Sequence, residues 1–383
     1  MKRRLVILTE IISPYRIPLF NELAQQGEVD LHVIFLAETD PELRQWQVYK
    51  NEIRFSCQVL PSWRSRIGNY NALLNRGVTF ALGEAQPDFI LCGGYNYVAS
   101  WQSLIWARFH KTPFFLWAES TQQDHRSRRT VVELMKIEFL RSCNGFVVPG
   151  SSAREYLHSL KIRDSRIFTA PNAVDNDLFS AAAEAARQNA TEHRSELALP
   201  RRYFLFVGRL VREKGVLELL SAYARLDDSL RQQVGLVFVG DGAFRPELER
   251  AAASISPGMI KFAGFAQRDQ LAIYYALAEM LILPTYTDTW GLVVNEAMAC
   301  SLPVILSHAA GCGADLLKEN WNGLLVPPKE VPSLTAAMRS LALQPDLCVT
   351  MGANSARHIA GYSPREWARG VAGMVAGNGA IHE

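Results

Sequence analysis

Two carboxylates lie eight positions apart in the stretch "TDTWGLVVNEAMAC", at Asp288 and Glu296. The preceding apolar run "MLILPTY" predicts a strand, and "LVVNEAMAC" predicts a helix, so Asp288 falls in a loop and Glu296 within the helix. The backbone N–H groups around Trp290, Gly291 and Leu292 would form the positive end of that helix. Carboxylates for hydroxyls and N–H groups for a diphosphate suit a sugar nucleotide. Alternatively, Asp288 caps the helix and Glu296 is a surface residue.

A second candidate loop is "GRLVREKG", which follows the apolar run "YFLFV". It places Gly208, Arg209 and Lys214 at the mouth of a predicted helix, where two cations could hold a diphosphate. The alternative is a solvated turn. A further loop, "GDG" at 240–242, is not a dinucleotide-binding motif because Arg245 stands where the third glycine would be. An NAD-dependent oxidoreductase is therefore disfavoured.

The elements that must position these residues alternate along the chain. Short apolar runs rich in β-branched and aromatic residues predict strands buried on both faces of parallel sheets. They are "RLVILTE", "DLHVIFLA", "DFILCGG", "PFFLWAES" and "GFVVPG" in the first half, and "YFLFVG", "VGLVFVGDG", "IKFAG", "MLILPTY" and "LPVILS" in the second. Amphipathic stretches such as "VLELLSAYARL" separate them. Two doubly wound α/β domains are the predicted fold.

The length of 383 residues also favours two domains, because one hydrophobic core seldom supports so long a chain. The polar, Ala-rich segment 180–202 is interpreted as a linker or an exposed helix. We expect an N-terminal domain over residues 1–185 and a C-terminal domain over 186–360. A C-terminal helix over 361–383 is expected to pack back toward the N-terminal domain.

Composition excludes several classes of protein. A formal net charge of +2 is too small for a nucleic-acid-binding domain. The six cysteines are scattered without any CxxC pair, which argues against a metal knuckle or a disulfide framework and predicts reduced, cytoplasmic thiols. The opening "MKRRLVILTEIISPY" is interpreted as a first buried strand rather than a signal peptide. No window approaches the roughly 20 apolar residues of a transmembrane helix.

Several of these pieces, in order, resemble the retaining glycosyltransferases of family 4. They are "GRLVREKG", "FVGDG", "DTWGLVVNEAMACSLPVI", "GCGADLL" and "NGLLVPP", over about residues 200–330, with weaker likeness in "SPYRIPLFNELA" and "APNAVDNDLF". The resemblance implies the GT-B fold, in which two Rossmann-like domains face each other across a cleft. It also implies transfer of a sugar from a nucleotide diphosphate to an acceptor hydroxyl, with retention at the anomeric carbon.

For the donor side, the resemblance assigns Arg209 and Lys214 to the diphosphate. Glu296 matches the second glutamate of the family's Glu-x7-Glu motif, which binds the ribose hydroxyls. Asp288 stands where the family has the first glutamate, which contacts the transferred sugar. This departure shortens the side chain by one methylene, about 1.5 Å.

For the acceptor side, many relatives carry a histidine at the end of the strand that matches "PFFLWAES". Here Glu119 occupies that position, so either Glu119 or the nearby His125 takes the polar role, unless Glu119 is simply a buried partner of a basic residue. The loop "EIISPYRIP" is expected to bring Tyr15 and Arg16 to the cleft. The loop "CGGY" offers Gly93 and Gly94 beside the acceptor.

The implied enzyme stabilises its leaving group with cations and a helix end, so no metal or other cofactor is expected. Its partners would be a nucleotide sugar and a saccharide or lipid-linked acceptor. Two alternatives remain: a sugar-nucleotide epimerase of similar build, and a non-catalytic nucleotide-sugar-binding protein.

Residues 53–83 predict a contact with an anionic membrane, at the inner face of the cell membrane, or with a lipid-linked acceptor. This window has four arginines and no acidic residue, with aromatic and aliphatic side chains between them. The alternative is an ordinary solvated helix and loop over the core.

Overall fold

The structure, a computed structural model, describes residues 2–40, 45–67, 70–122, 130–256 and 258–379. The chain forms two compact units. The first contains Met1–Val174 together with Pro364–Glu383, and the second contains Asp175–Ser363.

The first unit alternates strands with helices, as its apolar runs predict, except for four successive strands between residues 29 and 75 with no α-helix between them. Its elements are β1 (Arg3–Thr9), α1 (Ile17–Gln26), β2 (Val29–Phe35), β3 (Ser56–Val59), β4 (Ser62–Ile67), β5 (Tyr70–Asn75), α2 (Val78–Ala85), β6 (Phe89–Cys92), α3 (Val98–His110), β7 (Phe114–Trp117), α4 (Thr130–Ser142), β8 (Gly145–Val148), α5 (Ser151–Ser159) and β9 (Ile167–Thr169).

The second unit has the same kind of order. Its elements are α6 (Asn176–Gln188), α7 (Ala190–Glu196), β10 (Arg202–Val207), α8 (Val216–Ala224), α9 (Asp228–Arg231), β11 (Val234–Val239), α10 (Arg245–Ala252), β12 (Ile260–Gly264), α11 (Arg268–Leu277), β13 (Met280–Leu283), α12 (Leu292–Ala299), β14 (Val304–Ser307), α13 (Gly313–Leu316), β15 (Gly323–Val326), α14 (Val331–Ala342) and α15 (Pro345–Ile359). A last helix, α16 (Pro364–Gly379), follows.

Each unit is built on one parallel sheet. The strand order is β3-β2-β1-β6-β7-β8-β9 in the first unit and β12-β11-β10-β13-β14-β15 in the second. Alternate residues of β1 enter different cores, with Leu5 and Ile7 on one face and Val6 and Leu8 on the other. Burial on both faces explains the continuous apolar runs. The predicted doubly wound α/β fold is confirmed in both units.

The boundary between the units differs from the sequence-based one. Residue 185 lies inside α6, and the segment interpreted as a linker or exposed helix forms α6 and α7 of the second unit. The physical reason is burial: Phe179, Ala183 and Ala186 are buried on α6, which packs against α11 and α12. Small alanine side chains permit that close packing. The polar composition of this segment therefore did not reveal that it contains a packed helix.

The C-terminal helix α16 belongs to the first unit, where it packs against α1 and β9. Trp367 is fully buried there and lies 5.2 Å from the ring of Trp117. The chain thus returns to its first unit after completing the second.

Strands β4 and β5 form a separate antiparallel hairpin outside the main sheet. Its place is fixed by the buried Leu73 and by the side-chain amide of Asn75, which donates to the backbone oxygen of Leu36 at 2.5 Å. Together with β3 and α2, this hairpin occupies most of the window 53–83, so the alternative of a helix and loop does not describe it.

Candidate functional site

Ligands of open parallel sheets bind beyond the carboxyl ends of the strands, where the strand order reverses. In the second unit the order reverses between β10 and β13. The loop after β10 carries Arg209 and Lys214, the loop after β13 carries Asp288, and α12 carries Glu296. The predicted donor residues therefore gather at the topological switch point of this sheet.

Lys214 and Asp288 form an ion pair, with 2.5 Å between Nζ and Oδ2. Their side chains are only 18% and 15% exposed, so the pair is shielded from solvent. The two residues were assigned to different parts of a ligand, a diphosphate and a sugar. In this structure each neutralises the other, and a ligand that uses Lys214 must replace or share its carboxylate partner.

Arg209 has a different setting. Its side chain is exposed, and no ion pair is found for it within the described residues. Because Lys214 is already paired with Asp288, the exposed guanidinium of Arg209 presents an unpaired positive charge in this loop. It is the member of the predicted pair that is available to an anion.

The loop after β10 is held directly against the end of β13. Gly215 has a φ of 67°, and a Cβ atom there would lie 2.1 Å from the backbone oxygen of Pro284. The backbone N–H of Tyr286 donates to the oxygen of Glu213 at 2.7 Å. Only glycine permits this approach without strain. Lys214 is thereby placed next to the loop that carries Asp288.

A third loop, after β14, supports the other side of Asp288. The backbone N–H of Gly311 donates to the oxygen of Asp288 at 3.0 Å. A Cβ atom on Gly311 would lie 2.1 Å from the oxygen of Thr289. Three loops are thus joined backbone to backbone around one carboxylate.

Trp290 is a buried residue that supports this site. Its side chain is 3% exposed, and its indole N–H donates to the side-chain oxygen of the buried Asn295 at 2.9 Å. Gly291, with a φ of 101°, then leads into α12. In the first turn, the N–H of Val294 donates to the backbone oxygen of Gly291 at 2.9 Å, whereas the N–H groups of Leu292 and Val293 come before the first intrahelical hydrogen bond. The buried side chain of Trp290 anchors the loop and does not itself face a ligand.

Glu296 projects from α12 and is partly exposed. The hydroxyl of Tyr275, on α11, donates to its Oε2 at 2.7 Å. Burial raises the pKa of Glu296 to about 7, although the tyrosine hydrogen bond acts in the opposite direction. This carboxyl group changes charge near neutral pH. Tyr275 was not predicted as a site residue, because nothing in its own helix pattern marks it.

In the first unit the strand order reverses between β1 and β6. Arg16, in the loop after β1, donates to the buried hydroxyl of Thr9 at 2.6 Å and lies 3.8 Å from Glu119, which follows β7. Its guanidinium also lies 4.5 Å from the ring of Trp117. Asn172 donates its amide N–H to Glu119 at 3.2 Å. Arg16 and Glu119 were predicted, whereas Thr9 and Asn172 were missed.

The remaining predicted residues of this unit lie around that cluster or beyond the described chain. Gly93 lies beside Thr9, since its Cβ position is 3.2 Å from Oγ1, whereas the Cβ position of Gly94 is open. Tyr15 packs edge-on against Trp46, with ring centroids 5.9 Å apart. His125 falls outside the described residues, so the choice between it and Glu119 stays a prediction.

The window 53–83 carries less free charge than its sequence suggests. Arg64 forms ion pairs with Asp40 at 2.7 Å and with Glu10 at 3.4 Å. Both acids lie outside the window in sequence, so the sequence of the window alone does not reveal them. Arg54 and Arg76 are exposed. The hairpin also exposes Trp63 and its cross-strand neighbour Leu74.

No group of three or more His, Cys, Asp or Glu residues in the described part of the chain is placed to hold a metal ion. None of the helices among the described residues combines the length and the apolar character needed to cross a membrane.

Most of the second unit is similar in sequence to known glycosyltransferases. The family described as "Glycosyl transferases group 1" matches residues 188–358. A D-inositol 3-phosphate glycosyltransferase of Corynebacterium jeikeium (strain K411) is 32% identical over 202 residues, which cover 50% of this chain and 47% of the relative. The putative teichuronic acid biosynthesis glycosyltransferase TuaC of Bacillus subtilis (strain 168) is 34% identical over 149 residues, covering 38% and 35%. The chain thus spans about half the length of such relatives, or less.

Comparison with solved structures extends over the whole chain. Alr3699/HepE of Anabaena, solved in complex with UDP, aligns with a TM-score of 0.76 at 18% identity, covering 98% of this chain and 100% of that one. The same protein with UDP and glucose gives 0.75 at 18% identity, covering 98% and 99%. The chain therefore has the GT-B fold, and its residues 188–358 are similar to the glycosyl transferases of group 1.

Proposed function

We propose that this protein is a retaining glycosyltransferase of family 4 that moves a hexose-type sugar from a nucleotide diphosphate to an acceptor hydroxyl. The observation that carries the proposal is the gathering of Arg209, Lys214, Glu296 and the amino end of α12 at the switch point of the second sheet. This region lies within the part of the chain that matches group 1 glycosyl transferases.

On the donor side, Arg209 and the first-turn N–H groups of α12 would bind the diphosphate oxygens. Lys214 would transfer its charge from Asp288 to the phosphates, which leaves the carboxylate free to accept a hydrogen bond from the sugar. Glu296 would accept the ribose hydroxyls. Positive groups aimed at a departing diphosphate stabilise the charge that develops there. We propose that these groups suffice without a metal ion.

The reaction would replace one bond at the anomeric carbon with another on the same face. The bond to the diphosphate oxygen breaks, the acceptor oxygen forms the new bond, and the acceptor proton goes to a leaving phosphate oxygen. In the first unit, Glu119 and Arg16 would bind the acceptor through their exposed edges. Their mutual pairing and the contacts of Thr9 and Asn172 fix their orientation.

The relatives indicate which substrates to test first. Alr3699/HepE was solved with UDP and with UDP-glucose, and TuaC is named for teichuronic acid biosynthesis. We propose a UDP-sugar donor and a saccharide or lipid-linked acceptor of a cell-surface polysaccharide or glycoconjugate.

The first experiment is thermal unfolding with UDP-, GDP- and ADP-sugars. A ligand that binds only the folded protein raises the melting temperature. At a concentration of 100 times Kd it adds about 2.7 kcal/mol to the free energy of unfolding. Glu296→Gln should then lower the affinity for both the sugar nucleotide and the free nucleoside diphosphate. Asp288→Asn should keep the affinity for the free diphosphate, because Lys214 loses its competing carboxylate, and should slow sugar transfer. Equal weakening of the free nucleotide in both variants would contradict this division of roles.

The two alternatives predict different results. A sugar-nucleotide epimerase would turn over the donor with no acceptor present. A non-catalytic binding protein would bind the donor without turnover, and Asp288→Glu would not change that. Release of free diphosphate only when an acceptor is present supports the transferase.

A second proposal concerns the exposed apolar surface of the first unit, where we propose a contact with an anionic membrane. Trp63 and Leu74 project from the hairpin, and Phe80 on α2 is exposed as well. Arg54 and Arg76 are the exposed cations of the window. Each basic residue near an anionic surface contributes about 1 kcal/mol, so these two charges support only weak attachment.

Co-sedimentation with vesicles tests the membrane contact. Binding should require anionic lipid, weaken in high salt and fall when Trp63 is changed to Ser. Arg54→Ala with Arg76→Ala should reduce binding more than Arg64→Ala, because Arg64 is already paired within the protein. Binding that ignores lipid charge would contradict the proposal.

A further inference from the structure

Glu296 has one direct side-chain contact that the proposed function does not use. Tyr275 donates its hydroxyl proton to Oε2 of this carboxyl group at 2.7 Å. Within the described residues no hydrogen bond to Oε1 is found. The carboxyl group therefore has one oxygen held by the protein and one available to a ligand.

Tyr275 is itself firmly placed. Its side chain is fully buried, and its ring packs against Phe179 of α6 with centroids 6.3 Å apart and planes at 73°. Helix α6 packs against both α11 and α12, which carry the tyrosine and the glutamate. The hydroxyl therefore reaches Glu296 from a rigid three-helix support.

The tyrosine remains a donor at every relevant pH. Burial, together with the neighbouring charge of Glu296, raises the pKa of Tyr275 well above its ordinary value. A hydrogen bond donated to a carboxylate favours the ionised form of that carboxylate. Tyr275 therefore lowers the pKa of Glu296 while burial raises it.

Other titratable groups around Glu296 have a smaller influence. Cys300 lies on the same helix, and burial and the charge of Glu296 raise its pKa, so it stays a neutral thiol. Arg187 of α6 donates to the backbone oxygen of Cys300. On α15, the buried thiol of Cys348 lies in the field of Glu279 and Arg202 instead. Tyr275 is the group that contacts the carboxylate.

We propose that Tyr275 is a positioning residue for nucleotide binding, which fixes Oε2 of Glu296 so that Oε1 faces the ribose hydroxyls and keeps the group in its ionised, accepting form. The inference rests on the proposed role of Glu296 in binding a nucleotide. It assigns a role in ligand binding to a buried residue outside the loops that carry the family motifs.

The test is Tyr275→Phe, which removes one oxygen and keeps the ring in its packing. The probe is whichever of UDP, GDP and ADP stabilises the wild type, measured by calorimetry from pH 6 to 9. Wild-type affinity should rise through neutral pH as Glu296 ionises. The variant should bind about 10-fold more weakly at pH 7, the effect of one hydrogen bond to a charged group. The midpoint of its pH profile should move upward, and most of the affinity should return at pH 9.

Two control variants separate positioning from simple loss of packing. Tyr223→Phe removes the hydroxyl of another buried tyrosine in the same unit, which donates to the oxygen of Val234 at 2.9 Å. Phe179→Leu weakens the packing of Tyr275 but leaves its hydroxyl. Both should lower the melting temperature without moving the pH midpoint of nucleotide binding.

An unchanged midpoint in Tyr275→Phe would overturn the inference. Failure of the wild type to bind any of the three nucleotides would instead contradict the proposed function. In that case the pH dependence of unfolding still decides about Tyr275. As pH rises, ionisation of Glu296 lowers the free energy of unfolding until the group is ionised in the folded protein as well. This fall should end at a higher pH in Tyr275→Phe than in the wild type, and coinciding curves would overturn the inference.

Discussion

The two units have similar sheets, yet they build the ends of their strands in different ways. In the second unit, loops meet backbone to backbone, with Cβ positions of Gly215 and Gly311 only 2.1 Å from a neighbouring carbonyl oxygen. In the first unit, backbone hydrogen bonds also join the loops after β1 and β2, as from Ala37 to Glu10 at 2.8 Å, but the contacts of Glu119 with Arg16 and Asn172 are made by side chains. Backbone contacts constrain a site to one geometry. Side-chain contacts can be changed by single substitutions without moving the backbone.

The two units also differ in how many large apolar side chains they expose. Within the described residues, most exposed large apolar side chains lie in the first unit, and these are Val59, Trp63, Leu74, Phe80, Val98, Ile105, Phe109, Leu134 and Met135. In the second unit they are Phe265, Leu343 and Val349. Exposed apolar surface marks contact with another molecule more often than it stabilises a monomer. The first unit therefore exposes more large apolar side chains than the second.

The largest expected effect tests whether the second unit is a preformed anion site. Arg209→Ala should slow turnover roughly 100- to 1000-fold, because removal of one group that stabilises the leaving charge costs about 3–4 kcal/mol. Its melting temperature should stay unchanged, since the side chain is exposed. Arg212→Ala, an exposed arginine of the same loop, is the matched control and should keep most of its activity. Near-wild-type rates for Arg209→Ala would remove the main support for the anion site.

The next effect is a pH dependence of stability in the second unit. Burial raises the pKa of Glu296 from its ordinary value near 4.5 to about 7. As pH rises through this range the unfolded chain ionises the group first, so the wild type loses stability, by at most roughly 3 kcal/mol. Glu296→Gln cannot ionise and should lack this loss.

Urea unfolding at pH 5 and pH 8 measures the difference between Glu296→Gln and the wild type. Glu247→Gln, at an exposed glutamate of α10, provides the matched control and should follow the wild type. Parallel stability curves for the wild type and Glu296→Gln would contradict the raised pKa of Glu296.

A pair of glycine substitutions compares the two loop designs directly. Gly311→Ala forces a Cβ atom against the oxygen of Thr289, so the free energy of unfolding should fall by about 2–3 kcal/mol, as for other overpacked sites. Gly94→Ala meets no atom within 4 Å and should change it little. Chemical denaturation measures both. Equal effects would mean that the loops of the second unit yield as easily as those of the first.

The smallest effect concerns the hairpin of the first unit. Arg64→Ala leaves the carboxylate of Asp40, which is 4% exposed, without its ion pair. A buried polar group that loses its partner costs about 1–3 kcal/mol. Arg54→Ala, at an exposed arginine, should cost less than about 0.5 kcal/mol. If the two variants are equally stable, side-chain pairing does not hold this part of the first unit.

The sequence alone predicts the alternation of strands and helices in both units. Strands such as β1 and β10 are buried on both faces, so each appears as a continuous apolar run. Strands β3, β4, β5, β9 and β15 were not predicted. Strand β9 has three residues, and β3 is largely exposed with a polar composition. Short or solvated strands have no pattern that separates them from loops.

Sequence patterns also locate the donor residues, because Arg209, Lys214, Asp288 and Glu296 each stand in a local motif at a predicted strand end. Which of them meet is decided by the tertiary structure. Lys214 reaches Asp288 from a separate loop, and Tyr275 reaches Glu296 from a separate helix. These contacts depend on the order of strands in the sheet and on helix packing, neither of which is encoded in the spacing of any single motif. The partners of Arg64 could not be predicted for the same reason, since Glu10 and Asp40 are close to it only after the chain has folded.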